Sequence, residues 1–274
     1  MFIPFGFYQG DTGGGPAYDT DAQAFFTAVA GGGDTLTTTE KDAVNQLVID
    51  LKADSIWSDI LYAYPLVGGT ATAHKWNLKD PQDTDAAYRV TWGSVMAHNS
   101  LGILGTSNDP DSYGDTYYNP STAGATEHTI AMYFNQGLVA TPANEYDYGA
   151  FRSGDDNMIS FGFNNKTTMF ACFDSTAYKT STGGTYTNSV FAGSNDGTNT
   201  SLYQNGTNLT TQSQPFDPVN INYYLLASNR TAGSSSETGR GIGMAIAYSV
   251  GLDSTEHSNL STAITDYVTS LSRN

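Results

Sequence analysis

Apolar positions along the chain follow two periods. Ala22, Phe25, Phe26 and Val29 recur at helical spacing and Gly31-Gly32-Gly33 stops them, which predicts a short helix over 19–30. Val44, Leu47, Val48 and Leu51 repeat the spacing behind Thr37-Thr38-Thr39-Glu40, which reads as a capping box, so a second helix is expected over about 40–53. Ile56, Trp57 and Ile60 carry its apolar face through a turn. After Leu61 the period shortens. Alternation of the kind seen in Ile130, Met132 and Phe134 predicts strands over 88–92, 128–134, 157–163, 167–173, 186–192, 199–204, 221–228 and 242–250. Turn clusters separate them, among them Gly183-Gly184, Gly193 to Gly197 and Asn205-Gly206. Close spacing of strands and turns reads as an antiparallel sandwich. The chain returns to helix after Asp253-Ser254-Thr255-Glu256, a second capping box. Leu260, Ala263, Ile264, Tyr267, Val268 and Leu271 then form the clearest helical stripe in the sequence.

Composition bends the same way. The 18 Tyr and 13 Phe suit pleated, half-buried surfaces, the 29 Gly supply turns, and with 14% of residues charged the polar surface is mostly Thr, Ser, Asn and Gln. The length of 274 residues fits one large β-domain with a small addition. We divide it into an N-terminal arm and helical segment over 1–60 and a sandwich over 61–274 that ends in a helix. The arm opens with Phe2, Ile3, Phe5, Phe7 and Tyr8, which want burial on their own domain or on a partner. Across the whole chain 27 acidic and 11 basic residues give a formal charge of −16. That field repels phosphate backbones and anionic lipid, so neither nucleic acid nor a membrane is expected as a partner. A single cysteine, Cys172, forbids an intrachain disulfide, and its setting from Met169 to Phe173 reads as a strand. Residues 1–5 lack a positive n-region, and no stretch approaches ~20 continuous apolar residues, so neither a signal peptide nor a transmembrane span is expected.

The order of motifs from residue 201 onward narrows the fold. Ser201-Leu202-Tyr203-Gln204-Asn205-Gly206-Thr207 is a strand ending in an Asn-Gly hairpin turn. Asn222 to Ser228 gives another strand, Gly241 to Tyr248 a glycine-flanked one, and Gly251 to Glu256 a helix start. This order resembles concanavalin-A-like and laminin-G-like domains, over roughly residues 62–250, and implies their antiparallel jelly-roll sandwich. A narrower resemblance spans nearly the whole chain. It rests on Asn45 to Lys52, Trp57 to Ile60, Tyr64 to Ala71, His74 to Pro81, Gly114 to Pro120 and the closing Ser270-Leu271-Ser272-Arg273-Asn274, with Ser272 where Gly is usual. These stretches are similar to a family of bacteriophage virion and prophage proteins. The resemblance implies a structural component exposed on a particle, as head decoration, fibre or tail-appendage subunit, in an extracellular setting. It implies other virion proteins and further copies of the chain as partners, with host-surface glycans as a further contact. It transfers no catalytic residue. The alternative is a free lectin-like, carbohydrate-binding protein or an inactive relative of a glycoside hydrolase.

Candidate chemistry is sparse. Hydrolases on this fold set carboxylates on one strand face in a Glu-x-Asp-x-(x)-Glu pattern. Glu145-Tyr146-Asp147 comes nearest here and lacks the second Glu, so no enzyme is expected. Asp109, Asp111 and Asp115, on a turn-rich segment, are candidate oxygen ligands for Ca²⁺, with Asp155-Asp156-Asn157 and Asn195-Asp196 behind them; the capping of turns is the competing use of such residues. No other cofactor is expected. His74, His98, His128 and His257 are scattered singly along the sequence without metal-ligand spacing, and His257, in the first turn of a helix, is expected to be exposed. Trp57, Trp76 and Trp92 are expected in the core. Tyr113, Tyr117 and Tyr118, in a loop-like stretch, are the better candidates for a sugar platform, against a competing role in packing.

Overall fold

The computed structural model describes residues 17–106, 109–136, 145–151, 158–164, 168–174, 179–182, 188–230, 236–237 and 240–273. In chain order its elements are α1 (Thr20–Gly31), α2 (Thr38–Ala53), β1 (Ile60–Tyr64), α3 (Ala71–His74), β2 (Thr91–Trp92), β3 (Ala97–Asn99), β4 (Gly102–Leu104), β5 (Gly114–Asp115), α4 (Pro120–Ala123), β6 (His128–Gln136), β7 (Glu145–Phe151), β8 (Met158–Asn164), β9 (Thr168–Asp174), β10 (Lys179–Thr182), β11 (Ser189–Asn195), β12 (Asn199–Gln204), β13 (Thr207–Ser213), β14 (Tyr224–Leu225), β15 (Ala227–Arg230), β16 (Ser236–Glu237), β17 (Gly241–Tyr248) and α5 (Ser254–Ser270). The apolar arm over 1–16, the clusters Gly183-Gly184 and Asp155-Asp156-Asn157, and part of the expected strand over 186–192 lie outside the described residues.

Two antiparallel sheets face each other. The first runs β13-β12-β11-β6-β17-β4-β3, with β1 also on β17; the second runs β10-β9-β8-β7-β14-β5-β2, with β15 lying parallel to β7 at its end. Side chains from both inner faces fill one core. Ile130, Met132 and Phe134 of β6, Phe191 of β11, Leu202 of β12, and Ala245 and Ala247 of β17 meet Tyr148, Ala150, Met169 and Phe173 of the second sheet.

The first sheet is covered on its other face as well. Ala131 and Tyr133, Val190 and Ala192, Tyr203, and Met244, Ile246 and Tyr248 share a second cluster with Phe25, Leu47, Leu51, Leu260, Ile264 and Val268 of α1, α2 and α5. The result is three layers: helices, sheet, sheet. Apolar burial is the main favourable term here, about 1.5–3 kcal/mol for each large side chain taken fully out of water. It explains why the helices of segment 1–60 and the sandwich meet in a single apolar cluster.

Local chemistry places the helices. Thr37 and Glu40 form a reciprocal capping box at α2, and Asp253 and Glu256 form another at α5. The tight turn at Asn205-Gly206 has φ of 48° and 76°, the left-handed pair that a type I′ hairpin requires. The C-terminal end of the described chain is held from inside. Arg273 is buried and donates to the carbonyls of Pro65 (3.3 Å), Gly243 (3.0 Å) and Leu66 (2.8 Å). Ser272 stands at φ 56°, where glycine is at ease. Cys172 lies on strand β9, as its apolar setting predicts. Among the described residues no helix is long and apolar enough to cross a membrane.

Candidate functional site

The three candidate tyrosines separate by alternation. Burial alternates along residues 112–119: Ser112, Gly114, Thr116 and Tyr118 are buried, while Tyr113, Asp115, Tyr117 and Asn119 stay partly exposed. Tyr117 and Tyr118 therefore take opposite faces. Tyr118 is buried at 1% exposure and stacks on His128, with centroids 5.4 Å apart, so it is a core residue and not part of a sugar platform. Gly114 makes the turn of face possible. A Cβ there would fall 2.4 Å from the ring of Trp92, its partner across β2 and β5.

On the outer face of the second sheet, β14 continues this row. Asn222 and Tyr224 point outward and Tyr223 inward. Tyr113 and Tyr224 stack face to face at 4.5 Å with planes 9° apart, and desolvation pushes Tyr224 up to about 12. Asp115 accepts from the Tyr117 backbone N–H (2.8 Å) and from Asn222 Nδ2 (3.2 Å), and burial raises its carboxyl pKa. The Tyr117 hydroxyl pairs with Thr91 Oγ1 at 2.8 Å, and the Arg89 guanidinium sits 5.9 Å from its ring centroid. Tyr88 and Tyr117 hold φ of 55° and 57°, an uncommon conformation for bulky residues.

Beside this row lies an open groove of about 450 Å³, lined by Asp85, Tyr88, Tyr117, Asn119, Thr122 and Asn222 among others. Its size falls within the range of ligand sites, and it combines aromatic faces with fixed planar polar groups. A second groove of about 350 Å³ between α2 and α5 is lined by Asp42, Asp50 and Asp266, and its one aromatic side chain, Tyr267, is buried. It offers no ring face to a ligand.

The metal candidates do not converge. Asp109 Oδ1 accepts from the Asp111 N–H at 3.0 Å, Asp111 Oδ2 from the Ser94 hydroxyl at 3.3 Å, and Asp115 lies in β5 against Asn222. Asp196 ties down its own turn through the N–H groups of Thr198 and Asn199. These carboxylates serve turns and amides, and among the described residues no group of three or more His, Cys, Asp or Glu side chains could hold a metal ion. Asp147, the nearest match to a hydrolase carboxylate, is fully buried in an ion pair with Arg240.

The histidines also differ from expectation. His257 is 2% exposed and stacks on Tyr203 at 3.6 Å, because the first turn of α5 lies against β12; burial lowers it to about 3. His74 and His98, remote in sequence, face each other with Nδ1 atoms 3.0 Å apart. His128 bonds the Tyr148 hydroxyl at 2.9 Å, and that hydroxyl meets Tyr62. Desolvation lowers His128 to about 3 and raises Tyr62 and Tyr148. This polar cluster is sealed between the sheets, so it braces the core beneath the groove and meets no solute. Trp57 and Trp76 are buried as expected, while Trp92 is only partly so.

The sequence singled out Tyr113 and Tyr117 as platform candidates and Asp115 as a metal candidate, and it did not single out Asp85, Arg89, Asn222 or Tyr224. The signal available was weak: an Asp and an Arg four apart, and a polar-aromatic alternation over 222–224.

No family model matches the chain, and no curated protein sequence does. Solved structures match it through the fold. It is similar to the binding domain of Paraclostridial Mosquitocidal Protein 1, with TM-score 0.53 and 9% identity over 76% of this chain and 53% of that one. It is similar to a mutant Trypanosoma rangeli sialidase displaying trans-sialidase activity, with TM-score 0.53 and 10% identity over 82% of this chain and 39% of that one. It is also similar to botulinum neurotoxin type C, whose cell entry depends on interaction with two ganglioside molecules, with TM-score 0.51 and 9% identity over 77% of this chain and 53% of that one. The chain thus spans about half of each toxin chain and less of the sialidase. At such identities the likeness is one of fold alone, and the fold is a mainly β, concanavalin-A-like and laminin-G-like jelly-roll sandwich with a short helical N-terminal part and a C-terminal amphipathic helix.

Proposed function

We propose that this protein is a carbohydrate-binding, lectin-like module whose ligand seat is the groove beside β5 and β14. The observation that carries the reading is the outward row itself. Partly exposed Tyr113, Tyr117 and Tyr224 stand next to Asp115 and Asn222, which hold each other at 3.2 Å. Tyrosine faces accept the apolar face of a sugar ring, and fixed carboxylate and amide groups read its hydroxyls. The same sandwich occurs in botulinum neurotoxin type C, whose cell entry depends on two ganglioside molecules, and that supports the reading at the level of fold.

We read the module as a binder without catalysis. Asp147, the carboxylate closest to a hydrolase pattern, is spent in a buried ion pair. The test is a glycan panel probed with the full chain. Tyr117→Ala should weaken binding about 2- to 13-fold, the equivalent of about 0.5–1.5 kcal/mol of aromatic contact. No binding across a broad panel, or binding that Tyr117→Ala leaves untouched, overturns the proposal.

A second reading places the module on a phage particle, in contact with virion proteins and with further copies of itself. The observation that favours it is Ser272 at φ 56°, the conformation glycine takes most easily, at the position where the resembling virion family carries glycine. Co-sedimentation of the protein with intact particles on a density gradient tests it. A protein that stays free in the soluble fraction counts against it.

A further inference from the structure

We infer that the groove takes neutral glycans and discriminates against sialylated or otherwise anionic ones; this rests on the carbohydrate-binding reading above and names the ligand class of the same site. The first observation is charge. Among the described residues Asp85 is the only charged one in the groove lining, and it is an acid. The cations nearby are committed. Arg89 donates to Asp85 Oδ1 through Nε (3.2 Å) and Nη2 (2.9 Å), and Nη1 reaches Asp83 at 3.2 Å. Lys75 holds Asp83 at 2.8 Å and lowers its carboxyl pKa. Two cations, Lys75 and Arg89, thus face three acids, Asp83, Asp85 and Asp115, which leaves the locality at −1 within a chain of −16.

The second observation is the balance of donors and acceptors. Both Arg89 bonds to Asp85 fall on Oδ1, so Oδ2 remains to accept. Asn222 gives its Nδ2 to Asp115, so its Oδ1 remains. Asn119 gives one of its two Nδ2 protons to Asn220 at 3.1 Å, and its Oδ1 takes the Thr122 N–H at 3.1 Å. An acceptor-rich seat matches a ligand made of hydroxyl donors. A carboxylate brings acceptors and charge, would lie against Asp85, and among the described residues lining the groove would find no guanidinium or ammonium to pair with.

The test is a panel of glycan pairs that differ only in a terminal sialic acid, probed with the full chain and with Asp85→Asn. The parent should prefer the neutral member by about five- to tenfold, the scale of one unscreened charge a few ångströms away. Asp85→Asn removes the acid and frees Nε and Nη2 of Arg89 from it, while Nη1 stays with Asp83, so it should narrow that preference. Thermal melting of Asp85→Asn confirms that it is folded, and the parent panel decides the question even where it is not. Equal binding of the pair, or preference for the sialylated member, overturns this inference and leaves the carbohydrate-binding reading standing. Absence of binding to every member overturns both.

Discussion

The Asp147–Arg240 pair offers the sharpest check on how this sandwich is held together. Both side chains are buried, at 0% and 1% exposure, and they are in direct contact. In Asp147→Ala the guanidinium stays behind in the interior and loses the carboxylate it touches. Removing one partner of a buried pair costs about 3–5 kcal/mol, because the remaining charge keeps its desolvation penalty. With a urea slope of about 3 kcal/mol per molar, the unfolding midpoint should fall by about 1–1.7 M. The double variant Asp147→Leu with Arg240→Met removes both charges and should recover most of that loss, to within about 1 kcal/mol of the parent. Urea unfolding followed by circular dichroism on the parent, both single variants and the double variant gives the full cycle. A cost below about 1 kcal/mol for Asp147→Ala, or a double variant no better than the single, refutes the reasoning. The experiment also separates two roles for Asp147, since a carboxylate kept for chemistry leaves stability intact or improved when it is removed.

Acid should destabilise the fold well before its carboxylates titrate. His98 is lowered to about 4 and His128 and His257 to about 3, so between about pH 6.5 and those values the unfolded chain binds more protons and stability falls with falling pH. Each fully buried histidine contributes a slope of about 1.4 kcal/mol per pH unit in that window, and His257→Phe should flatten the stability curve below pH 6 by about one proton. A melting temperature that stays level from pH 7 to pH 5 contradicts this. Ser272→Gly should stabilise by about 0.5–1 kcal/mol, because φ 56° strains a serine; a loss in the melting experiment would point to the hydroxyl instead. Arg273→Ala strips three carbonyls of a charged donor and should cost more than about 3 kcal/mol. Gly114→Ala drives a methyl into Trp92 and should both destabilise the fold and weaken glycan binding.

The helices were legible because each carries its own punctuation. The boxes Thr37–Glu40 and Asp253–Glu256 set their starts within two residues, and the apolar stripes behind them lie on the face that is buried. The sandwich was legible from strand spacing and from Asn205-Gly206. The third layer was hidden. Gly241 to Tyr248 shows no alternation, and every residue of β17 is buried, because helices lie on one side and the second sheet on the other. Ile130, Met132 and Phe134 disclosed one face of β6, but Ala131 and Tyr133 are as deeply buried on the other. The site was legible in part. A two-residue strand such as β5 carries too short a pattern to show which of Tyr117 and Tyr118 points inward. The meeting of His74 with His98, and of Asp115 with Asn222, depends on tertiary closure that no spacing encodes.

The enclosed sheet has a consequence for how such a protein diverges. A polar substitution anywhere along β17 meets either helices or the facing sheet, so that layer tolerates little change. Around β5 and β14 the outward positions 113, 115, 117, 222 and 224 are only partly buried and touch one another and a few neighbours such as Thr91 and Arg89. A lineage can exchange them in small groups without disturbing what lies behind. On the binding reading, a change of ligand would then ask for a new front and leave the scaffold behind it as it is.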